Sequence, residues 1–188
     1  MQERFQVLMI DPPWQQTKGG RRNARPNQFG AFDYPTMPTK EIFMLLDKEI
    51  FIKADNPHCV FMWVIDRFLF ECENCMLQRN YKRHCRFIWD KTNGIAPAFT
   101  VRYSHEYLVW FYKSPLPAIA NEWRGKFRTV FAEKSRQHSR KPDIAYTMIE
   151  YLYPAAARID VFSREKRKGW KQFGNQLNHF AQTKTLTI

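Results

Sequence analysis

The stretch Phe5-Gln6-Val7-Leu8-Met9-Ile10, running straight into Asp11-Pro12-Pro13-Trp14, decides how this chain folds. It is short, apolar and stopped by a proline pair, which is the pattern of a buried strand. A carboxylate at the carboxyl end of such a strand lies at the lip of an open α/β sheet, where ligands bind. Pro12 and Pro13 fix their own φ and remove two N–H donors, so the carbonyls there are held rigidly as acceptors. Trp14 adds a flat face. One carboxylate, one fixed carbonyl and one aromatic plane could hold a planar base by its exocyclic amino group. In isolation the tetrapeptide also reads as an ordinary turn beside a packing tryptophan, so the rest of the chain must decide.

Moving outward, Gln15 to Met37 forms a long loop with a basic, apolar-poor start, and a loop of this length is often a functional lid. Pro38-Thr39-Lys40-Glu41 looks like a helix start, with Ile42, Leu45 and Leu46 on one face. His58 to Val64 is a second apolar strand. Asp66 is placed to cap a helix from Arg67 to Gln78, whose Phe68, Leu69, Cys72 and Met76 form an apolar stripe. Phe87-Ile88-Trp89 lies in a third strand, followed by a turn at Asn93-Gly94. His105 to Tyr112 is a fourth strand, and Phe127 to Phe131 a short one. Lys141-Pro142-Asp143 opens a helix that runs to Tyr153, since proline suits a first turn. Arg158 to Phe162 is the last expected strand. This alternation predicts one α/β domain over residues 1–188, a doubly wound, mostly parallel sheet. The first and last strands would be neighbours at the switch point, joining the Asp11 and Arg164 loops in one crevice.

Composition narrows the partners. The 188 residues are 44% hydrophobic and 16% aromatic, which excludes a disordered chain. There are 30 lysines and arginines against 18 aspartates and glutamates, a net charge of +12. The charge is clustered: Lys18 to Arg25, Lys82 to Arg86, Arg124 to Lys141, and Arg164 to Lys171. Basic clusters in an aromatic-rich domain suggest a polyanion, most simply nucleic acid. No apolar run approaches the roughly 20 residues needed to span a bilayer, and no secretory leader is expected. Cys72 and Cys75 have a CxxC spacing, but on a helix it is a weak metal signal. No metal is expected, and the four cysteines read as free thiols.

Asp11-Pro12-Pro13-Trp14, Tyr34-x-Thr36-Met37, Phe61-x-Trp63-Val64, His105-Glu106-Tyr107-Leu108, Lys141-Pro142-Asp143, Phe162-x-Arg164 and Gly169-Trp170 before Gly174-Asn175-Gln176 occur in this order. Together they resemble the adenine-N6 methyltransferases with a DPPW signature. That group includes the catalytic subunit of the messenger-RNA adenine methylation complex and DNA enzymes of bacteria and phages. The resemblance runs from about Val7 to Gln176. It implies a Rossmann-like class I fold, helices on both faces of a mostly parallel sheet, and S-adenosyl-L-methionine as cofactor. The segment order is permuted, with the catalytic loop first and the main cofactor strand last, which accounts for the missing G-x-G-x-x-G.

Carried over residue by residue, the resemblance makes Asp11, Pro12, Pro13 and Trp14 the catalytic tetrapeptide, with Asp11 and the Pro12 carbonyl gripping the adenine amino group. Tyr34, Glu106 and Arg136 take substrate-side positions, Tyr34 with Trp14 beside the target base. Lys141, Asp160, Phe162, Arg164, Asn175 and Gln176 take cofactor positions: Lys141 near the methionine carboxylate, Asn175 and Gln176 on ribose hydroxyls. The expected activity is methyl transfer to adenine N6 in DNA, by a monomer or homodimer in the cytoplasm of a bacterium or phage-infected cell. An RNA adenine methyltransferase is the nearest alternative, and a non-catalytic nucleic-acid-binding subunit the other.

Overall fold

A computed structural model describes residues 3–15, 35–92, 101, 103–137 and 139–180. Seven strands build one sheet: β1 (Phe5–Ile10), β2 (Ala54–Val64), β3 (Lys82–Asp90), β4 (His105–Tyr112), β5 (Val130–Ala132), β6 (Arg158–Val161) and β7 (Lys171–Phe173), in the order β5-β3-β4-β2-β1-β6-β7. The pairs β1–β2, β1–β6, β3–β5 and β6–β7 are parallel. Strand β4 is antiparallel to both neighbours, β2 and β3. The sheet is therefore mostly parallel, as the alternation of strands and helices predicts.

Strand β1 sits between β2 and β6, with Ile10 opposite Met62 on one side and Val161 on the other. The chain leaves β1 toward one half of the sheet and returns through β6 on the opposite side. The two strands expected to meet at the switch point do meet there. The Asp11 N–H continues the ladder by donating to the Val161 carbonyl at 3.2 Å.

Side chains alternate between two cores. Leu8, Ile10, Val60, Met62, Val109 and Val161 face α1 (Thr39–Leu45) and α2 (Leu69–Gln78), which contribute Ile42, Phe43, Cys72 and Met76. Val7, Met9, Phe61, Trp63, Leu108 and Trp110 face α3 (Asp143–Leu152), which contributes Ala145, Tyr146, Met148, Ile149 and Leu152. Helices thus cover both faces, and β1 is apolar on both sides because both sides are covered. Among the described residues no helix is long and apolar enough to cross a membrane.

Several local readings change. Helix α1 continues through a π-helical turn at Leu46–Ile50 and a 3₁₀ turn to Lys53. Asp66 makes no side-chain cap; a 3₁₀ turn at Asp66–Phe68 leads into α2 instead. β5 begins at Val130, later than expected, and β7 is a strand the sequence reading lacks. Most of the Gln15 to Met37 loop and the Asn93-Gly94 turn lie outside the described residues. All four cysteines are free, Cys59 and Cys72 buried, Cys75 and Cys85 half-buried.

β7 matters because Gly174 follows it directly. A Cβ built on Gly174 would stand 2.5 Å from the Ser163 carbonyl oxygen and 2.9 Å from the Ser163 nitrogen. Only glycine lets this turn close on the end of β6. Gly174→Ala should therefore cost about 1–3 kcal/mol through overpacking, read as a lower midpoint in chemical denaturation with an unchanged slope.

Candidate active site

The carboxyl ends of β1 and β6 open onto a cavity of about 550 Å³. Asp11, Pro12, Pro13 and Trp14 form one wall, and Phe162, Arg164, Phe173, Gly174, Asn175 and Gln176 the opposite one. Because β4 runs against the sheet, its first residues reach the same edge and bring Glu106 into the lining. Lys141, just before α3, closes the ring. The size suits a ligand of nucleoside dimensions.

One ammonium organises the floor. Lys141 Nζ lies 2.9 Å from Asp11 Oδ1 and 3.3 Å from Glu106 Oε2, and Lys91 Nζ donates to Glu106 Oε1 at 2.6 Å. Two carboxylates and two ammonium groups balance in a nearly dry place: the Asp11, Glu106 and Lys141 side chains are only 21%, 13% and 10% exposed. Burial pushes Asp11 above the usual carboxylate range, with Lys141 only partly offsetting it. Burial acts the same way on Glu106, but Lys141 and Lys91 outweigh it and hold that carboxyl low. Burial acts against charge on Lys141, and its two carboxylates overcome this and raise it above 10.5. The stabilisation from Glu106 is thus present above its unfolded value and lost as pH falls through the lower folded one. That from Lys141 is lost only in strong alkali.

The helix that follows Lys141 is anchored from a distance. Glu133 accepts the first backbone N–H groups of α3, from Asp143 (3.0 Å) and Ile144 (2.9 Å), which satisfies orphan donors at a positive helix end. Arg136 Nη1 donates to Asp143 Oδ2 at 2.6 Å, and Nη2 to the Lys141 carbonyl at 3.0 Å. Arg136, expected on the substrate side, does not line the cavity; it braces the turn that presents Lys141.

The tetrapeptide is rigid, as two prolines require. The Trp14 N–H donates to the Pro12 carbonyl at 2.8 Å, and the Met37 N–H to the Pro13 carbonyl at 2.8 Å. The Pro12 carbonyl keeps one further lone pair. Trp14 is not an open platform. It is 4% exposed, its indole N–H donates to the Trp63 carbonyl at 3.0 Å, and its ring stacks on Phe68 at 5.2 Å. Trp14 is a packed wall of the cavity because neighbouring apolar residues already claim its ring. Tyr34 lies outside the described residues.

On the opposite wall, Arg164 Nε donates to Gln176 Oε1 at 2.9 Å, tying the loop after β6 to the turn after β7. Phe162 lines the cavity at φ 61°, an uncommon left-handed backbone for a bulky residue. Asp160, expected among the cofactor residues, lies behind that wall. It is 2% exposed and accepts the Tyr146 hydroxyl at 3.2 Å. The sequence reading missed Lys91, which belongs to no motif, and Phe173, hidden in the unrecognised β7.

Most of the expected basic clusters are partly neutralised from within. Arg83 and Arg86 both bind Glu73. Arg140 binds Glu165, and Arg167 binds Asp143 and Glu165. Lys82, Arg124, Lys126, Arg128, Lys166 and Lys168 are exposed. The cluster from Lys18 to Arg25 is outside the described residues.

The chain is similar to several known proteins. An Arabidopsis thaliana protein named N(6)-adenosine-methyltransferase MT-A70-like is 28% identical over 179 residues, 93% of this chain and 24% of that protein. The Homo sapiens N(6)-adenosine-methyltransferase catalytic subunit METTL3 is 26% identical over 181 residues, 93% of this chain and 28% of that protein. The type II methyltransferase M.MunI of Mycoplasma is 25% identical over 195 residues, 93% of this chain and 78% of that protein. The chain thus spans about a quarter of the plant and animal relatives and most of the mycoplasmal one. The sequence profile described as MT-A70 matches residues 5–176, from the first strand to the Asn-Gln pair, and the chain belongs to that family.

Proposed function

We propose that this chain transfers a methyl group to the exocyclic N6 of adenine in DNA. The observation that carries the reading is the Asp11 carboxylate, fixed by Lys141 beside the rigid Pro12 carbonyl at the floor of a cavity of nucleoside size.

MT-A70 methyltransferases take the methyl from S-adenosylmethionine. The cavity fits it: Phe162 and Phe173 are apolar walls, and Arg164, Asn175 and Gln176 are polar groups suited to a ribose. When bound, the cofactor supplies an electrophilic methyl on a sulfonium. Everything else falls to the protein. An aromatic amine is a poor nucleophile because its lone pair is delocalised into the ring. Asp11 and the Pro12 carbonyl are acceptors that can hold its two N–H groups and favour a pyramidal nitrogen. Such positioning is worth up to about 7–11 kcal/mol in favourable cases. Lys141 keeps Asp11 in place and, with Lys91, keeps Glu106 ionised. A base in duplex DNA must be flipped to reach this depth, and the exposed basic side chains supply phosphate contacts with salt-dependent affinity.

DNA is favoured by the 78% coverage of the type II methyltransferase M.MunI, against about a quarter of the plant and animal relatives. RNA is the second reading, because the plant and animal relatives are named for adenosine. Labelled-methyl transfer to matched DNA and RNA oligonucleotides, single- and double-stranded, decides between them, with transfer to DNA expected. A non-catalytic subunit would bind nucleic acid and transfer nothing. Asp11→Asn should lower transfer roughly 10²- to 10³-fold while calorimetry still detects S-adenosylmethionine binding; undiminished transfer refutes the role of Asp11. Lys141→Met leaves two carboxylates without their shared cation. It should cost about 3–5 kcal/mol of stability and move the acid limb of the pH–rate profile upward, because both carboxyls then resist ionisation.

A further inference from the structure

Asp11 also lines a second, smaller space of about 20 Å³, which shares Lys141, Phe162 and Arg164 with the large cavity. That is room for one water molecule among polar partners. Asp11, Asp160, Tyr146, Ser163 and Arg167 are among its walls. The two carboxyls approach it from adjacent strands, since Asp11 follows β1 and Asp160 lies in β6 opposite Met9. Asp160 Oδ2 accepts the Tyr146 hydroxyl, whereas the buried Oδ1 has no hydrogen-bond partner among the described residues. A buried carboxyl oxygen left bare is costly, and a bridging water relieves that cost. Tyr146 and Arg167 also line a wider groove of about 520 Å³ on the outer side, together with Arg140 and Glu165. Polar side chains therefore run without a break from the floor of the large cavity to this groove.

The proposed reaction needs such a path. As the N6–carbon bond forms, the sulfur–carbon bond breaks and its electron pair stays on sulfur. The amine then carries one proton too many. Asp11 lines both the large cavity and the small one, so a proton it takes up can leave on the side of the small one. We propose that Asp160 and Tyr146 form a rear proton exit, in which a water in the small cavity passes the amine proton from Asp11 to Asp160 and on to the outer groove. This rests on the methyltransferase reading.

The electrostatics suit the task. Burial raises the Asp160 carboxyl to about 7, with Ser163 and Arg167 offsetting part of the rise and Asp11 adding to it. The charged and titratable groups around it come from every neighbouring element: Asp11 after β1, Arg140 and Lys141 before α3, Tyr146 on α3, and Arg164, Glu165 and Arg167 after β6, with Gln172 of β7 beside it in the sheet. A carboxyl poised there takes a proton at neutral pH and gives it up again. Burial holds the Tyr146 phenol far above its usual range, so it stays a neutral donor.

Asp160→Asn and Tyr146→Phe keep shape and remove the titrating or bridging group. In the protein alone, difference infrared spectroscopy should find a carboxyl titrating near neutrality that vanishes in Asp160→Asn and moves down in Asp11→Asn. In single-turnover assays, wild-type transfer should fall as pH drops below that titration. Asp160→Asn should lose the near-neutral part of this limb, keep only the part set by Asp11, and run about a hundredfold slower, at the low end of proton-transfer contributions. Tyr146→Phe should slow transfer with the limb retained. Calorimetric affinity for S-adenosylmethionine should not change in either variant. The exit is overturned by the absence of a near-neutral carboxyl, by an unchanged Asp160→Asn profile in an active enzyme, or by loss of cofactor affinity in Asp160→Asn. A wild-type protein that binds S-adenosylmethionine yet methylates neither polymer overturns the underlying reading instead.

Discussion

The site depends on one buried cation. Lys141 reaches the end of β1 through Asp11 and the beginning of β4 through Glu106, two strands separated in the sheet by β2. It stands at the entrance to α3, so a single side chain ties three elements into one edge. Two neighbouring carboxylates in so dry a place would otherwise repel, and one would take up a proton. Lys141 and Lys91 keep the pair in distinct states, Glu106 firmly ionised and Asp11 easier to protonate. That asymmetry leaves one carboxyl firmly charged and the other better able to exchange a proton.

The frame of the fold was readable from residue types. β1, β4 and α3 lie where apolar runs, β-favouring residues and a first-turn proline put them, and the β1–β6 pairing followed from the alternation of elements. β7 was not readable. Lys171-Gln172-Phe173 is too short and too polar to show a period, and it is a strand because the β6 edge offers it a partner. The site was legible where it coincides with local motifs. Asp11, Lys141 and the Asn175-Gln176 turn do gather around one cavity. What depends on distant partners was invisible: Trp14 turned inward by Trp63 and Phe68, Arg136 engaged by Asp143, Asp160 set behind the wall, and Lys91 reaching Glu106.

Charge tells a similar story. The excess of +12 stands, but many arginines of the clusters face carboxylates of their own chain. Exposed pairs of this kind contribute little to stability. Their effect is geometric: Glu133, Arg136, Asp143, Arg167 and Glu165 form a run of charges that fixes the turn before α3 and the loop after β6 relative to each other. Net charge therefore overstates how much of the surface is open to a polyanion.

The reversed direction of β4 has a consequence for diversification. Because β3 ends and β4 begins at the lip that holds Asp11, the chain leaves the sheet and re-enters it beside the cavity. Connections of this kind tolerate changes in length far better than strands do. A change of length between β3 and β4 can therefore reshape the rim of the cavity while the carboxylate and its ammonium partner stay untouched.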